Sequence, residues 1–480
     1  MSIRKKRQAD AATEVSERAQ RVAEHLAALV RVPTVAPDSS RPLTEAEEEA
    51  FARHRALLRE FYPAVFAAAE TEMVGRAGLL MRLPGAATER PVVLMAHQDV
   101  VPVPQDWKAE GWEHPPFDGV IADGRVHGRG TLDDKGALVV LMEALEELLA
   151  AGWEPARDVW LLFGGDEEQH GASAVAATAL LEERGVEPWL VLDEGGAVAS
   201  EAFPGVAAPM AVIGASEKGV LTAELSVESQ GGHASMPPRQ SAPGILAKAL
   251  VAVESNPFPV GLHDLSVEMF EGVAPHLRGP KRALLGRARK LRGPLARVMP
   301  RLGAELAAMV RTTVAITMVN GSPAQNVLAT RATAVLNCRI AVGSTVAATV
   351  AHLESVIGDE RVAVSVVEGS EPSPVSPTIG DPRWEALVDA VGEAYPDAVT
   401  VPYVMMAASD ARHVARIAPA VYRFSPLAMD KRQREAIHGP NENVQIEALE
   451  PGVDFYRALL TGAALGGLTA AGGASEPSLT

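Results

Sequence analysis

The sequence predicts an α/β fold interrupted by a smaller α+β insertion, on three observations. Between Pro91 and Asp193, apolar strand-like runs at 92–96, 159–163 and 190–192 alternate with a helical pattern over 137–151 that Gly152 closes. Beyond about residue 216 the pattern changes: alternating strands at 220–227 and 332–340 surround a helix at 242–254, and a second helix covers about 345–357. The Pro/Ser-rich segment EGSEPSPVSPT then marks a return to the first unit. The chain therefore divides into 1–215, an insert at 216–370, and 371–462, followed by a Gly/Ala/Ser-rich tail, 463–480, that reads as disordered.

The elements follow in order. The first helix carries Val15, Ala19, Val22, Leu26 and Val30 on one face. Within the insert, 277–306 is rich in Arg, Leu and Ala, with Pro280, Pro294 and Pro300 breaking it into short helical pieces. This excursion reads as a solvated structure on the insert, because charge runs usually lie on exposed faces. It is a candidate for substrate selectivity, or for covering the insert in place of a dimer contact.

At 480 residues and 47% apolar content, the chain can bury a sizeable core, and it has no apolar run long enough for a bilayer. A net charge of −17 argues against a nucleic-acid partner, since no basic excess is available for counterion release. Cys338 is the single cysteine, which rules out an intrachain disulfide and suits a reducing compartment. The start MSIRKKRQAD is basic but leads into an amphipathic helix rather than an apolar stretch, so a cytoplasmic chain without membrane contact is expected.

Five motifs carry candidate chemistry. His97 and Asp99 stand two apart at a strand end, where the carboxylate can fix the imidazole tautomer. In GRGTLDDKG either Asp133 or Asp134 can present a carboxylate at a helix start; alone, this is equally an N-cap. In FGGDEEQHG, the adjacent Glu167 and Glu168 repel unless a cation or proton is shared. Asp193 in VLDEGG and His438 in HGPNEN complete the set, and most of these residues follow a strand, where α/β sheets place ligands.

The order H-x-D, GRGxxDxKG, DEE, LDEGG and HGxNE resembles the co-catalytic zinc hydrolases that include carboxypeptidase S, aminoacylase, carnosine dipeptidase and succinyl-diaminopimelate desuccinylase. Within that family WKAEGWEHPPFDG, EKGVLTAEL, GGHASMPP, RTTVAITMVNG and NCRI are most similar to the branch of carboxypeptidase S and the N-acyl amino acid synthase/hydrolases. The resemblance implies a mixed catalytic sheet of the zinc-peptidase type with a ferredoxin-like lid, and two zinc ions, replaceable by cobalt or manganese. It implies Asp133 as bridging ligand, with a cis peptide to Asp134, His97 and Asp193 at one metal, and Glu168 and His438 at the other. Asp99 supports catalysis and Glu167 is the general base. Two divalent ions then balance the three carboxylates and a bridging hydroxide.

On the lid, the resemblance implies that His233 steadies the oxyanion, often across a dimer interface, and that Asn326 and Arg339 hold the substrate's carboxylate or carbonyl. Asp410 matches a turn near the ligands without an assigned role, and His127 replaces an aromatic residue in a packing position. The implied substrate is an N-acyl amino acid or a short peptide with a free carboxylate. A strict dipeptidase, a non-catalytic binding protein on the same fold, and two unrelated domains on a linker are the alternatives.

Overall fold

In the computed structural model, which describes residues 15–466, the apolar runs of the first unit form the middle of a ten-stranded mixed sheet. The Ala87–His97 strand lies parallel between Arg157–Gly164 and Leu190–Asp193, and Val421–Arg423 adds parallel to the last. Residues 91–97 and 158–164 are buried without alternation because both sheet faces are covered, which is why they read as continuous apolar runs. On one face the Lys135–Ala150 helix, buried nearly all round, packs against Glu17–Val30 and Leu449–Thr461. Val15 precedes the first helix and is exposed, so the buried face begins at Ala19. Three parallel strands therefore deliver their carboxyl ends to one edge of the sheet.

The insert forms a four-stranded antiparallel sheet in the order Thr313–Asn320, Arg331–Ile340, Gly219–Glu228, Ala363–Ser370. Helices Ala242–Ser255 and Val346–Ile357 pack on it around Leu221, Leu225, Leu246, Leu336 and Leu353, a βαββαβ order of ferredoxin-like kind. Ser241 and Thr345 cap these helices by accepting amide hydrogens in the first turn. The two chain crossings are pinned together: Ser216 Oγ donates to the Ser373 carbonyl at 2.9 Å, and Ser373 Oγ accepts the Glu217 amide at 2.9 Å.

Two expectations change. The helical excursion begins earlier, at Asp264–Val273, and turns away from the insert. Leu277, Ala288, Leu295 and Met299 share a core with Met210 and Val401, so it covers the large sheet's Val399–Met405 edge rather than the lid. The start of the tail is ordered as a short Ala463–Gly466 helix with Leu465 buried; residues 467–480 lie outside the described residues.

Candidate metal centre

His97 ends one central strand, Glu167 and Glu168 open the single turn after the next, and Asp193 ends the third. Asp133 precedes the Lys135–Ala150 helix, and its peptide bond to Asp134 is cis. Its two oxygens face different histidines: Oδ1 lies 2.8 Å from His97 Nε2, and Oδ2 lies 2.9 Å from His438 Nε2. His438 Nε2 is also 3.1 Å from Glu168 Oε1. Donor atoms of His97, Asp133 and Glu168 fall within 4.8 Å of one another. Asp193 stands outside that group; its Oδ2 accepts the Ala411 amide at 2.7 Å, close enough to His97 to interact with its charge.

The second nitrogen of His97 finds a different partner from the one the H-x-D spacing suggests. Nδ1 is 2.9 Å from the Asp99 carbonyl oxygen and 3.5 Å from the carboxylate. A proton on Nδ1 is donated to the main chain, which leaves the Nε2 lone pair for a cation. The Asp99 carboxylate instead accepts the amides of Glu167 and Glu168 at 3.2 and 3.1 Å, so it sets where both glutamates stand.

The site is short of positive charge. Burial, followed by Asp410, Glu168 and Asp133, pushes the Glu167 carboxyl well above its usual range against the pull of His97. Burial also raises Asp134, Asp193, Glu194 and Asp410. Burial alone would lower His97, but Asp133 and Asp99 outweigh it and hold the imidazole well above its ordinary value. Asp133 and Glu168 hold His438 up at about 10. Both oxygens of buried Asp410 and Oδ1 of Asp134 have no hydrogen-bond donor. Gly164 makes room for the former, since a Cβ there would lie 2.6 Å from Asp410 Oδ2. Crowded, underprotected carboxylates beside two imidazoles fit divalent cations, and the mixed oxygen and nitrogen donor set suits zinc.

Several residues that the sequence reading left without a role hold this arrangement. Glu442, fully buried, pairs with Arg129 and accepts the amides of Gly130, Leu132 and Asp133 at 3.1, 2.8 and 3.3 Å. It thereby ties the HGPNEN motif to the turn that presents Asp133. Lys135 donates to the carbonyls of Leu29 and Val32 at 3.0 and 2.7 Å, and its burial lowers it to about 7. Glu217, at the crossing into the insert, accepts Ser409 N, Ser409 Oγ and Arg423 Nε, each at 3.1 Å. Ser409 leads directly into Asp410 and Ala411, so this buried pair links the crossing to the loop that holds Asp193.

The three lid residues are not joined to the carboxylates by any hydrogen bond or ion pair among the described residues. His233 is exposed on a two-stranded ladder, paired with Val327, its Nδ1 2.7 Å from Ser235 Oγ. Asn326 is beside it, its carbonyl accepting the Ala234 amide at 3.1 Å. Arg339 lies on the lid's inner strand between Val220 and Thr313, lowered by burial and then by Arg412 of the catalytic unit. Lys218 adjoins it: burial, then Arg339 and Arg311, bring its amine down to about 8. Cations from both units thus lie close enough to repel one another. The EKG motif held Lys218 in view, but only the folded chain puts it next to Arg339. His127 packs against His114, ring centroids 4.6 Å apart.

The profile of Peptidase family M20/M25/M40 matches residues 93–462. The N-fatty-acyl-amino acid synthase/hydrolase PM20D1 of Xenopus tropicalis is 34% identical over 454 residues, covering 93% of this chain and 87% of its own. The probable carboxypeptidase S-like 2 of Dictyostelium discoideum is 32% identical over 444 residues, covering 92% and 84%. Among solved structures, the M20 family metallo-carboxypeptidase Sso-CP2 of Sulfolobus solfataricus superimposes with a TM-score of 0.65 at 18% identity, covering 93% of this chain and 98% of that one. Human carnosine dipeptidase 1 gives 0.64 at 16% identity, covering 93% and 96%.

Proposed function

We propose, for a chain that belongs to Peptidase family M20/M25/M40 and is accordingly a metallopeptidase or amidohydrolase, that the reaction is hydrolysis of the amide bond of N-acyl amino acids bearing a free carboxylate. The observation that carries the two-ion reading is the Asp133 carboxylate, which offers one oxygen toward His97 and the other toward His438. His97, Asp133 and Asp193 would hold one zinc ion, and Asp133, Glu168 and His438 the other. Bound there, zinc supplies the Lewis acidity that polarises a carbonyl and eases deprotonation of water.

The chain's own residues supply the rest. Glu167, held by Asp99 through its amide and raised by its buried, anionic surroundings, takes a proton from the attacking water and then delivers it to the leaving nitrogen. Asp99, through its carbonyl, keeps His97 in the tautomer that binds metal. His233 donates to the oxygen that becomes negative, and Asn326 and Arg339 hold the substrate carboxylate, once the insert closes over the centre. A second copy of the chain is the other source of His233 and Asn326. Met318 and Val319, exposed on the lid's edge strand Thr313–Asn320, support that dimer.

The N-acyl reading draws on PM20D1 of Xenopus tropicalis, whose name describes fatty-acyl amino acids. The test is mass-spectrometric detection of phenylalanine released by zinc-loaded protein from a long-chain N-acyl phenylalanine, against cleavage of an unblocked dipeptide. Preference for the acyl substrate, abolished by Glu167→Gln, supports the proposal. Preference for the dipeptide moves the chain to the peptidases, and turnover of neither contradicts both.

A further inference from the structure

The excursion that covers the Val399–Met405 edge is strongly basic in an acidic protein. Residues 278–301 contain nine Lys and Arg and no Asp or Glu, against a net charge of −17 for the whole chain. All but Arg292 are exposed. Arg289 and Arg292 pair with Asp264 and Glu271, but Arg278, Lys281, Arg282, Arg287, Lys290 and Arg297 form no ion pair among the described residues. Cations left in this way do not stabilise the fold; they repel one another across a short stretch of surface.

The apolar residues of the same stretch divide in two. Leu277, Leu295 and Met299 face the core shared with Met210 and Val401. Leu284, Val298 and Leu302 remain 45%, 50% and 66% exposed among the cations. Anchored from beneath, the segment turns a surface of basic and branched apolar side chains to solvent. A nucleic-acid backbone would meet the cations but give the exposed leucines and valine nothing to enter, whereas a lipid headgroup layer accepts both.

We propose that residues 278–302 form a docking surface for a membrane rich in anionic phospholipid, on which the protein rests without crossing. Among the described residues no helix is long and apolar enough to cross a membrane. The expectation of no membrane contact rested on the lack of such a span and of an apolar stretch after the basic start, and neither describes a local surface patch. Juxtaposed Lys and Arg each add to the attraction toward an anionic leaflet, and the attraction is screened by salt.

The full-length protein is sedimented with phosphatidylcholine vesicles and with vesicles that also contain phosphatidylglycerol, at low and high salt. The expected result is binding to the anionic vesicles only, release by high salt, and a loss of at least about tenfold in the variant Lys281→Glu, Arg282→Glu, Arg287→Glu, Lys290→Glu. Reversal of four cations elsewhere, Arg53, Arg90, Lys108 and Lys248, leaves binding within about twofold of the parent. The salt series on the unaltered protein stands even if the reversed variant folds poorly. Equal binding to neutral vesicles, no binding to either, an equal loss in the control variant, or capture by duplex DNA in place of vesicles would overturn the proposal. Vesicle binding is read without turnover, so its failure is separable from failure of the proposed reaction.

Discussion

Replacing Glu442 by glutamine should loosen the metal centre without touching a ligand. The carboxylate is fully buried and takes up the Arg129 guanidinium together with three amides of the Asp133 turn. Glutamine keeps one acceptor oxygen, but its amide nitrogen points at donors, and Arg129, only 3% exposed, keeps its charge without a counter-ion. Breaking one side of a buried pair costs about 3–5 kcal/mol. At about 2 °C per kcal/mol for a large domain, the melting midpoint of metal-free protein should fall by about 6–10 °C. Because the same amides position Asp133, zinc affinity should fall roughly 10–100-fold, measured by competition with a chromophoric chelator. Adding Arg129→Met removes the stranded charge, so the double variant should recover part of the stability but not the zinc affinity. An unchanged midpoint together with unchanged affinity would refute the reasoning.

Glu167→Gln should lower kcat about 10²–10⁴-fold while zinc content stays at the parent level, and loss of metal in this variant would make Glu167 a ligand instead. Lys218, near 8, is charged below that pH and neutral above it. For carboxylate-bearing substrates kcat/KM should therefore fall as pH rises through about 8, and Lys218→Arg should remove the fall; an identical profile in both would separate Lys218 from the substrate. His438 is raised to about 10 in the metal-free fold by Asp133 and Glu168. Its contribution to stability is complete below the ordinary imidazole value and is lost between that value and about 10. Chelated protein should accordingly lose thermal stability as pH rises across that window, and zinc-loaded protein, with a neutral imidazole as ligand, should not.

The central strands were legible because burial on both faces makes them unbroken apolar runs, and the candidate ligands because strand ends bring such residues to one edge of the sheet. His97, Glu168 and Asp193 follow strands in sequence as they do in space. Glu442 was legible only as part of a motif: it works through an amide 309 residues away, a distance that no local pattern encodes. Asp99 shows a finer limit, since two-residue spacing gives its side but not which oxygen meets His97. The excursion shows a third, because amphipathic pieces declare that they have an inner face without declaring which sheet edge receives it. The cationic corner of Lys218, Arg311, Arg339 and Arg412 likewise arises from residues of two units that meet only after folding.

The bridging role of Asp133 is the central claim, and zinc stoichiometry tests it most directly. Protein equilibrated with a modest excess of zinc, then analysed by elemental mass spectrometry, should hold two ions per chain, and Asp133→Asn should hold no more than one and turn over no substrate. One ion or fewer in the parent, or two retained in Asp133→Asn, would contradict the account.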